Sequence, residues 1–124
     1  SDYLENEILD HILGTGAYTM PSTVYVGLAT ASFNDDNSGA ELTGNNYARE
    51  SAAFTAAASG TTSNSAAIEF NAATGSWGLV SHFGIFDAAS SGNLLIHGAF
   101  TTAKTIASGD ILKIPTGDLD ITAA

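Results

Sequence analysis

The side chains best suited to metal binding or proton transfer are the three histidines, His11, His82 and His97. His11 falls in the last turn of a predicted helix, where a cation is stabilised by the helix dipole. His82 and His97 fall on the two arms of a predicted hairpin, in a register that would place them directly opposite each other. Two imidazoles on neighbouring strands can bind zinc, but such a site needs a third ligand. We therefore expect a buried, hydrogen-bonded histidine pair rather than a metal site.

Other patterns that could support catalysis are incomplete. The chain contains no G-x-S-x-G motif, so no serine is expected to be an activated nucleophile. Asp118 and Asp120 share one face of a predicted strand without aromatic neighbours, which is typical of a solvated edge rather than a glycosidase cleft. The run from Asn34 to Ser38 offers oxygen ligands but lacks the glycine and glutamate positions of a calcium-binding EF-hand. The sequence thus predicts no catalytic residue, no metal and no cofactor, and the chain is expected not to be an enzyme.

The charge distribution argues against several partners. Of 124 residues, 13 are acidic and 3 are basic, which gives a formal net charge of −10. The cations Arg49, Lys104 and Lys113 are scattered, whereas nucleic acids and anionic membranes are bound by clustered lysines and arginines. The sequence also lacks an apolar run of about 18 residues, the length needed to span a bilayer. We expect neither nucleic acid nor membrane as a partner.

The chain begins with a segment of helical periodicity. Asp2 and Glu5 fit a capping box, and Gly14 followed by Gly16 supplies a stop, so the helix is predicted within residues 1–14. Its apolar residues form one stripe: Leu4, Ile8, Leu9, Ile12 and Leu13. A helix this short is marginal alone. We expect Leu4, Ile8 and Ile12 either to pack on the rest of the domain or to form a subunit contact.

From residue 22 to residue 122 the apolar period is two, which predicts strands. The strongest is Trp77 to Phe86, with Leu79, Phe83 and Ile85 on one face and Val80 and Phe86 on the other. Residues Ser32 to Asn46 are predicted to form a long exposed loop. The remaining predicted strands are Thr23–Ala29, Tyr47–Ala58, Thr62–Asn71, Leu94–Phe100, Ile111–Ile114 and Leu119–Thr122. About seven short strands with regular turn signals favour an all-β fold, a single jelly-roll-like β-sandwich with an N-terminal helix, and residues 1–124 as one domain.

Only 13% of the residues are charged, so the surface must be built largely from Ala, Ser, Thr, Gly and Asn. These side chains lose little conformational entropy when they are buried. A surface of this kind can dock against another protein at low entropic cost. The composition therefore favours a structural protein that presents a surface to other copies of itself.

Several segments resemble a family of short proteins from tailed bacteriophages, and together they cover nearly the whole chain. The matching segments are 3–14 and 23–28, 47–49, 63–70, Trp77-Gly78, His82–Ala89 with Gly92–Leu95, 107–110 and 117–121. Members of this family are commonly labelled phage tail fibre or minor structural proteins. The resemblance implies a virion component without catalytic activity, and it supplies no catalytic residues.

Chain length separates the possible positions in a virion. A fibre shaft needs length or internal repeats, and this chain has neither. We therefore expect a capsid decoration (cement) protein that forms a homo-oligomer, with a trimer favoured. It would bind the major capsid protein on the outer shell and stabilise the shell.

One alternative is a tail fibre or tail-tip domain that contacts a host receptor; another is a free carbohydrate-binding module. Surface aromatics would favour these, and the candidates are Tyr18, Tyr25 and Tyr47, whereas Trp77 is expected in the core.

Overall fold

The computed structural model of the chain describes residues 1–39 and 41–123. In this part of the chain one helix precedes eight strands: α1 (Asp2–Leu13), β1 (Val24–Ala29), β2 (Glu50–Ala52), β3 (Thr61–Ser63), β4 (Ile68–Glu69), β5 (Gly78–Phe86), β6 (Leu94–Ile106), β7 (Lys113–Ile114) and β8 (Asp120–Thr122). No helix among these residues has the length and apolar character needed to cross a membrane.

The strands pair antiparallel in three sheets. The largest has the order β2-β1-β5-β6, and two small sheets pair β3 with β8 and β4 with β7. The prediction of an all-β, sandwich-like fold with one N-terminal helix is confirmed. The segments predicted as weaker strands contain only short ones, because β2, β3 and β4 are interrupted by turns and by runs of alanine and serine.

The main core lies between the four-stranded sheet and the two small sheets. Val26 and Leu28 of β1 and Ile85 of β5 face Ile68 and Ile114 of the opposing layer. These side chains are at most 6% exposed. Trp77 is 5% exposed in the same cluster, as predicted, and its Nε1 donates a hydrogen bond of 2.9 Å to the Asn45 carbonyl.

A large bulge interrupts the pairing of β5 with β6. Val80 pairs with Lys104 and His82 pairs with Ala99, so one residue of β5 faces residues 100–103 of β6. We call residues 100–103 the β6 bulge. An insertion of this kind bends the strand and changes the direction in which its side chains point.

The bulge changes which residues of β5 face the core. Phe83 and Ile85 lie in the main cluster and Phe86 faces the other way, as predicted. The prediction for the start of the strand is wrong: Val80 is buried in the main cluster, and Leu79 is 53% exposed. The irregularity at Ser81 resets the alternation of side chains, which strict period-two reasoning does not include.

The second face of the four-stranded sheet carries a smaller core. Gly27 of β1 pairs with Gly84 of β5, and the missing side chains leave room for the rings of Phe86 and Phe33. A Cβ atom on Gly84 would lie 2.9 Å from Phe86 Cε2 and 3.2 Å from Phe33 Cε2. Phe33 is 3% exposed and packs edge-on against Phe86 with 5.8 Å between ring centroids. The predicted exposed loop, Ser32–Asn46, is therefore anchored at this residue by burial.

The helix begins one residue earlier than the predicted capping box. Ser1 is the N-cap, and its Oγ accepts a hydrogen bond from the Leu4 amide. Gly14 ends the helix with a φ of 80°, a left-handed conformation that glycine adopts without strain. The helix is attached to the sheet mainly at its start, where the Ser1 hydroxyl donates to the Leu94 carbonyl and the Asp2 amide donates to the Asp35 carbonyl.

Candidate functional site

The outer face of α1 is the most apolar exposed surface on a regular element of the described chain. No residue of the helix is buried. Four aliphatic side chains remain exposed, with fractions of 43% for Ile8, 56% for Leu9, 70% for Ile12 and 72% for Leu13. Amphipathic helices normally bury such residues against a core. This helix therefore offers an apolar surface without a partner in the chain as described.

The residues predicted as a subunit contact lie along one stripe of the helix, and their exposure rises toward its end. Leu4 is half-buried near the attached start of α1, whereas Ile8 is 43% and Ile12 is 70% exposed. At about 100° per residue, Glu5 projects between Ile12 and Leu9. The outward face of α1 therefore combines aliphatic side chains near its end with a carboxylate in its first turn.

A groove lies where the β6 bulge meets β7. Its floor is formed by the buried side chains of Val80, Leu112 and Ile114, and half-buried Phe100 contributes one wall. Its volume is about 190 Å³. We call this feature the bulge groove. It lies where the extra residues of β6 leave the pairing with β5, above side chains that are almost completely buried.

The rim of the bulge groove carries two of the three cations of the chain. Lys104 and Lys113 both line it and both are exposed. Within residues 1–39 and 41–123, neither lysine has a carboxylate within 4.0 Å. Asp118 also lies on the rim, and Glu69 is opposite Lys113 in the β4–β7 pair, so the rim concentrates the exposed cations of a strongly acidic molecule without being free of carboxylates.

The third cation, Arg49, is buried in a polar network. Its guanidinium donates two hydrogen bonds of 2.8 Å to the two oxygens of Glu41, and two more of 2.8 Å to the carbonyls of Ala88 and Ser91. The side chain is only 8% exposed, and its Cζ lies 3.5 Å from the centroid of the Phe86 ring. Arg49 thus joins three segments of the chain.

Tyr47 completes this network. Its hydroxyl donates to Glu41 Oε2 at 2.6 Å and accepts from the Leu28 amide at 2.9 Å. Burial is the main cause that raises the pKa of Tyr47, and the hydrogen bond to Glu41 raises it further. The hydroxyl therefore stays protonated and keeps donating. Tyr47 is not the surface aromatic that the sequence left open, and the network is a structural clamp rather than a reactive centre.

The histidine pair expected from the sequence does not form. Along the hairpin, Phe86 pairs with Leu94 but Ile85 pairs with Ile96, so Leu95 is an extra residue in β6. The pair Phe86–Leu94 is itself one residue out of the predicted register, so His97 pairs with Gly84, two residues away from His82. No group of three or more potential metal-ligating side chains occurs in the part of the chain that the structure describes.

The three histidines instead have separate partners. His82 Nδ1 lies 2.7 Å from the Ser81 hydroxyl, and His97 Nε2 lies 2.7 Å from Asp35 Oδ1. His11 Nδ1 accepts a hydrogen bond of 3.2 Å from the Tyr18 amide, beside the end of α1. These contacts hold the chain locally and bring no two imidazoles to one site.

The acidic loop considered for calcium directs its carboxylates to different places. Asp36 accepts hydrogen bonds from the amide and the hydroxyl of Ser38, which lower its pKa. Asp35 faces His97 across the sheet edge, and that hydrogen bond is the main cause that lowers the pKa of Asp35. Because the Asp35 carbonyl also receives the Asp2 amide, this loop links β6 to the start of α1.

This link predicts an acid-dependent contact. The pKa of Asp35 is lowered in the folded chain, so its contribution to stability is present above the ordinary value of about 3.8 and is lost as pH falls through the lower folded value. In a titration followed by NMR of the carboxyl carbons, we expect a midpoint below 3.8 for Asp35 and a return toward that value in His97→Ala. Asp36 is the internal control, because Ser38 sets its pKa. An Asp35 midpoint that His97→Ala leaves unchanged would contradict the contact.

Sequence reasoning predicted the apolar stripe of the helix but missed the bulge groove and the Arg49 clamp. Glu41, Tyr47 and Arg49 lie in a stretch rich in small polar residues, and nothing in their spacing shows that they converge. The rarity of cations was the available signal, because an arginine in so acidic a chain has many possible carboxylate partners. The groove depends on the extra residues of the bulge, and no residue type marks their position.

Comparison with known proteins agrees with the resemblance seen in the sequence. The chain matches the family described as Podophage GP4 fiber I protein gp80 over residues 1–122. No match was found among curated proteins. The family match spans α1, the four-stranded sheet and both small sheets. The chain belongs to the Podophage GP4 fiber I protein gp80 family and is a structural protein of the bacteriophage virion.

Proposed function

We propose that this protein is a non-enzymatic component of the phage tail fibre that assembles with other copies of itself through α1. The observation that carries the self-assembly is the exposed face of α1, where four large aliphatic side chains are 43–72% exposed. The fibre position is supported by the family match over residues 1–122. A trimer is the assembly we favour.

The energetics of the helix face support a permanent contact. Full burial of a large aliphatic side chain stabilises by roughly 1.5–3 kcal/mol. Since Ile8, Leu9, Ile12 and Leu13 retain about half to three quarters of their exposure, each gains roughly 1–2 kcal/mol in an interface. The other large apolar side chains that are exposed in the described chain, Met20, Leu79 and Ile111, lie on separate segments. Four lie together on α1, so the helix is the best candidate for the apolar centre of a contact.

The aromatic side chains give less support to a free carbohydrate-binding module. Trp77 is in the main core, and the Tyr47 hydroxyl is held by Glu41 and Leu28. Tyr3, Tyr18 and Tyr25 are half-buried. Sugar binding of that type relies on exposed, flat aromatic surfaces, which these residues provide poorly.

Gold-labelled antibodies against the chain, applied to intact virions, test the position. We expect a few labels on each particle, located at the tail fibres. Many labels spread over the head would instead show a capsid decoration protein and would overturn the fibre assignment. A virion without label, when dissociated virions contain no chain either, would remove the virion proposal and leave the carbohydrate-binding module.

Substitution of Ile8 by Asp tests the contact through α1. A charge placed at the centre of an apolar interface has to be buried without a partner, so we expect self-association to weaken about 100-fold, the equivalent of about 3 kcal/mol. Sedimentation equilibrium measures the change. Leu79→Asp is the matched control, since Leu79 is 53% exposed on the sheet, and it should assemble as the native chain does. Equal assembly of Ile8→Asp and the native chain would contradict the role of α1.

A further inference from the structure

We propose that α1 of one copy docks into the bulge groove of a second copy, with Ile8 or Ile12 inserted over the apolar floor and Glu5 beside Lys104 and Lys113. This inference rests on the proposed self-association and names the surface that receives the helix. The partner is therefore a second copy of this chain, bound through two different surfaces.

The volume and lining of the groove fit an aliphatic side chain. The groove encloses about 190 Å³, and an apolar cavity of about 150 Å³ accommodates a benzene-sized molecule. One isoleucine side chain therefore enters, while its neighbours on the helix cover the rim. The floor is apolar because it is formed by the aliphatic side chains of Val80, Leu112 and Ile114. Each of these is at most 6% exposed.

The charges of the two surfaces are complementary. The helix carries Asp2, Glu5, Glu7 and Asp10, and its outward face includes Glu5 between aliphatic side chains. The groove rim holds Lys104, Lys113 and Asp118; Lys113 has Glu69 as its cross-strand partner, which leaves Lys104 as the cation best placed for Glu5. Because Arg49 is already paired with Glu41, these lysines are the cations that remain to receive an acidic helix. A direct helix-to-helix contact between copies would instead bring like charges together.

The described chain leaves its own groove free of its own helix. The start of α1 is bound at Leu94 and Leu95, whereas the groove lies at the bulge and Lys104. Ile96 pairs with Ile85 and Lys104 with Val80, so the two positions are five residues of β5 apart, about 17 Å at 3.3 Å per residue. No residue of α1 lines the groove, and Ile8 and Ile12 stay exposed, so the groove remains open to a second copy. A contact between two different surfaces closes into a ring or continues as a filament.

Mixing two defective variants tests this contact. Ile8→Asp retains the groove but has a defective helix, and Lys104→Glu with Lys113→Glu retains the helix but has a defective groove. We expect each variant alone to sediment as a folded monomer of about 12.6 kDa, with circular dichroism as the check on folding. An equimolar mixture should form a species of twice that mass, because one intact helix meets one intact groove.

Each other outcome overturns the inference. If the double lysine variant assembles as the native chain does, α1 binds elsewhere and the proposed self-association still stands. If the native chain itself is monomeric, both proposals fail. If both variants are monomeric and remain so when mixed, the contact uses the same surface on both copies.

A charge exchange separates specific pairing from general repulsion. Adding Glu5→Lys to the double lysine variant should restore at least about tenfold of the lost affinity, since oppositely charged groups face each other again. Asp120→Lys is the matched control, because it changes the net charge equally at an exposed position on β8. Equal recovery in both variants, or recovery in neither, would show that Glu5 does not face the two lysines.

Discussion

Replacing Arg49 with Met is expected to lower the free energy of unfolding by about 3 kcal/mol. Removal of one partner from a buried ion pair costs about 3–5 kcal/mol because the other charge remains without compensation. The lower end applies here, since Glu41 keeps 23% of its side-chain exposure. The substitution also removes the donor that binds the Ala88 and Ser91 carbonyls. Urea unfolding of the monomer measures the loss.

Two further variants make this prediction specific. Lys104→Met removes an exposed cation and should change the unfolding free energy by less than about 0.5 kcal/mol. Glu41→Met combined with Arg49→Met removes both charges, and we expect it to be more stable than Arg49→Met alone. A loss below about 1 kcal/mol in Arg49→Met would show that the clamp does not hold the loop to the sheet.

Replacing Phe86 with Ala is expected to cost about 3–5 kcal/mol, the range for loss of a fully buried aromatic ring. Phe86 is 1% exposed and fills the space above Gly27 and Gly84. Its ring also contacts Phe33 and lies under the Arg49 guanidinium. Gly27 and Gly84 contribute no side chain to fill the cavity, and Phe33 and Leu94 are already packed in the same cluster. Thermal unfolding followed by calorimetry gives the change.

Phe54→Ala is the control for the Phe86 substitution. Phe54 is only half-buried against the main cluster, so less apolar surface returns to water and a smaller cavity forms. We expect its cost to be about half that of Phe86→Ala. Similar costs for the two variants would mean that the smaller core around Phe86 contributes little, and that the outer face of the sheet is held by α1 or by loops instead.

The elements with strong periodicity were predictable from the sequence. The helix was expected within residues 1–14 and spans Asp2–Leu13, and the strand predicted from Trp77 to Phe86 begins one residue later. Both are long segments in which several apolar residues repeat with one period. The periodicity is easy to recognise in them because every apolar residue of the segment is consistent with the same buried face.

The details that depend on pairing between strands were not predictable in the same way. The hairpin begins one residue out of the predicted register, with Phe86 opposite Leu94, and the extra residue at Leu95 adds a second, so Ala99 is opposite His82. The irregularity between Val80 and His82 accompanies the exchanged roles of Leu79 and Val80. Neither bulge carries a sequence signature, because the residues of both are ordinary strand formers. A shift of one residue reverses every side chain beyond it, so small irregularities in pairing are enough to produce errors of this kind.

The two parts of the candidate site differ in the same way in how far they could be predicted. The apolar stripe of α1 follows from local periodicity, and the sequence therefore predicted the helix on which the exposed Ile8 and Ile12 lie; their role as a contact stays a prediction. The groove brings Lys104 of β6 beside Lys113 of β7 through the bulge, which is a product of tertiary pairing. The exact start of the helix could not be predicted. The structure has Ser1 as the N-cap, but Asp2 with Glu5 fits the same capping pattern one residue later.

Sedimentation equilibrium of the unmodified chain over a wide range of concentrations tests self-assembly through α1 most directly. The account predicts a mass that is a multiple of 12.6 kDa, with a trimer favoured, and a shift to the monomer on dilution. A mass of 12.6 kDa at every concentration would contradict it, because the exposed aliphatic side chains of the helix would then have no partner among copies of this chain.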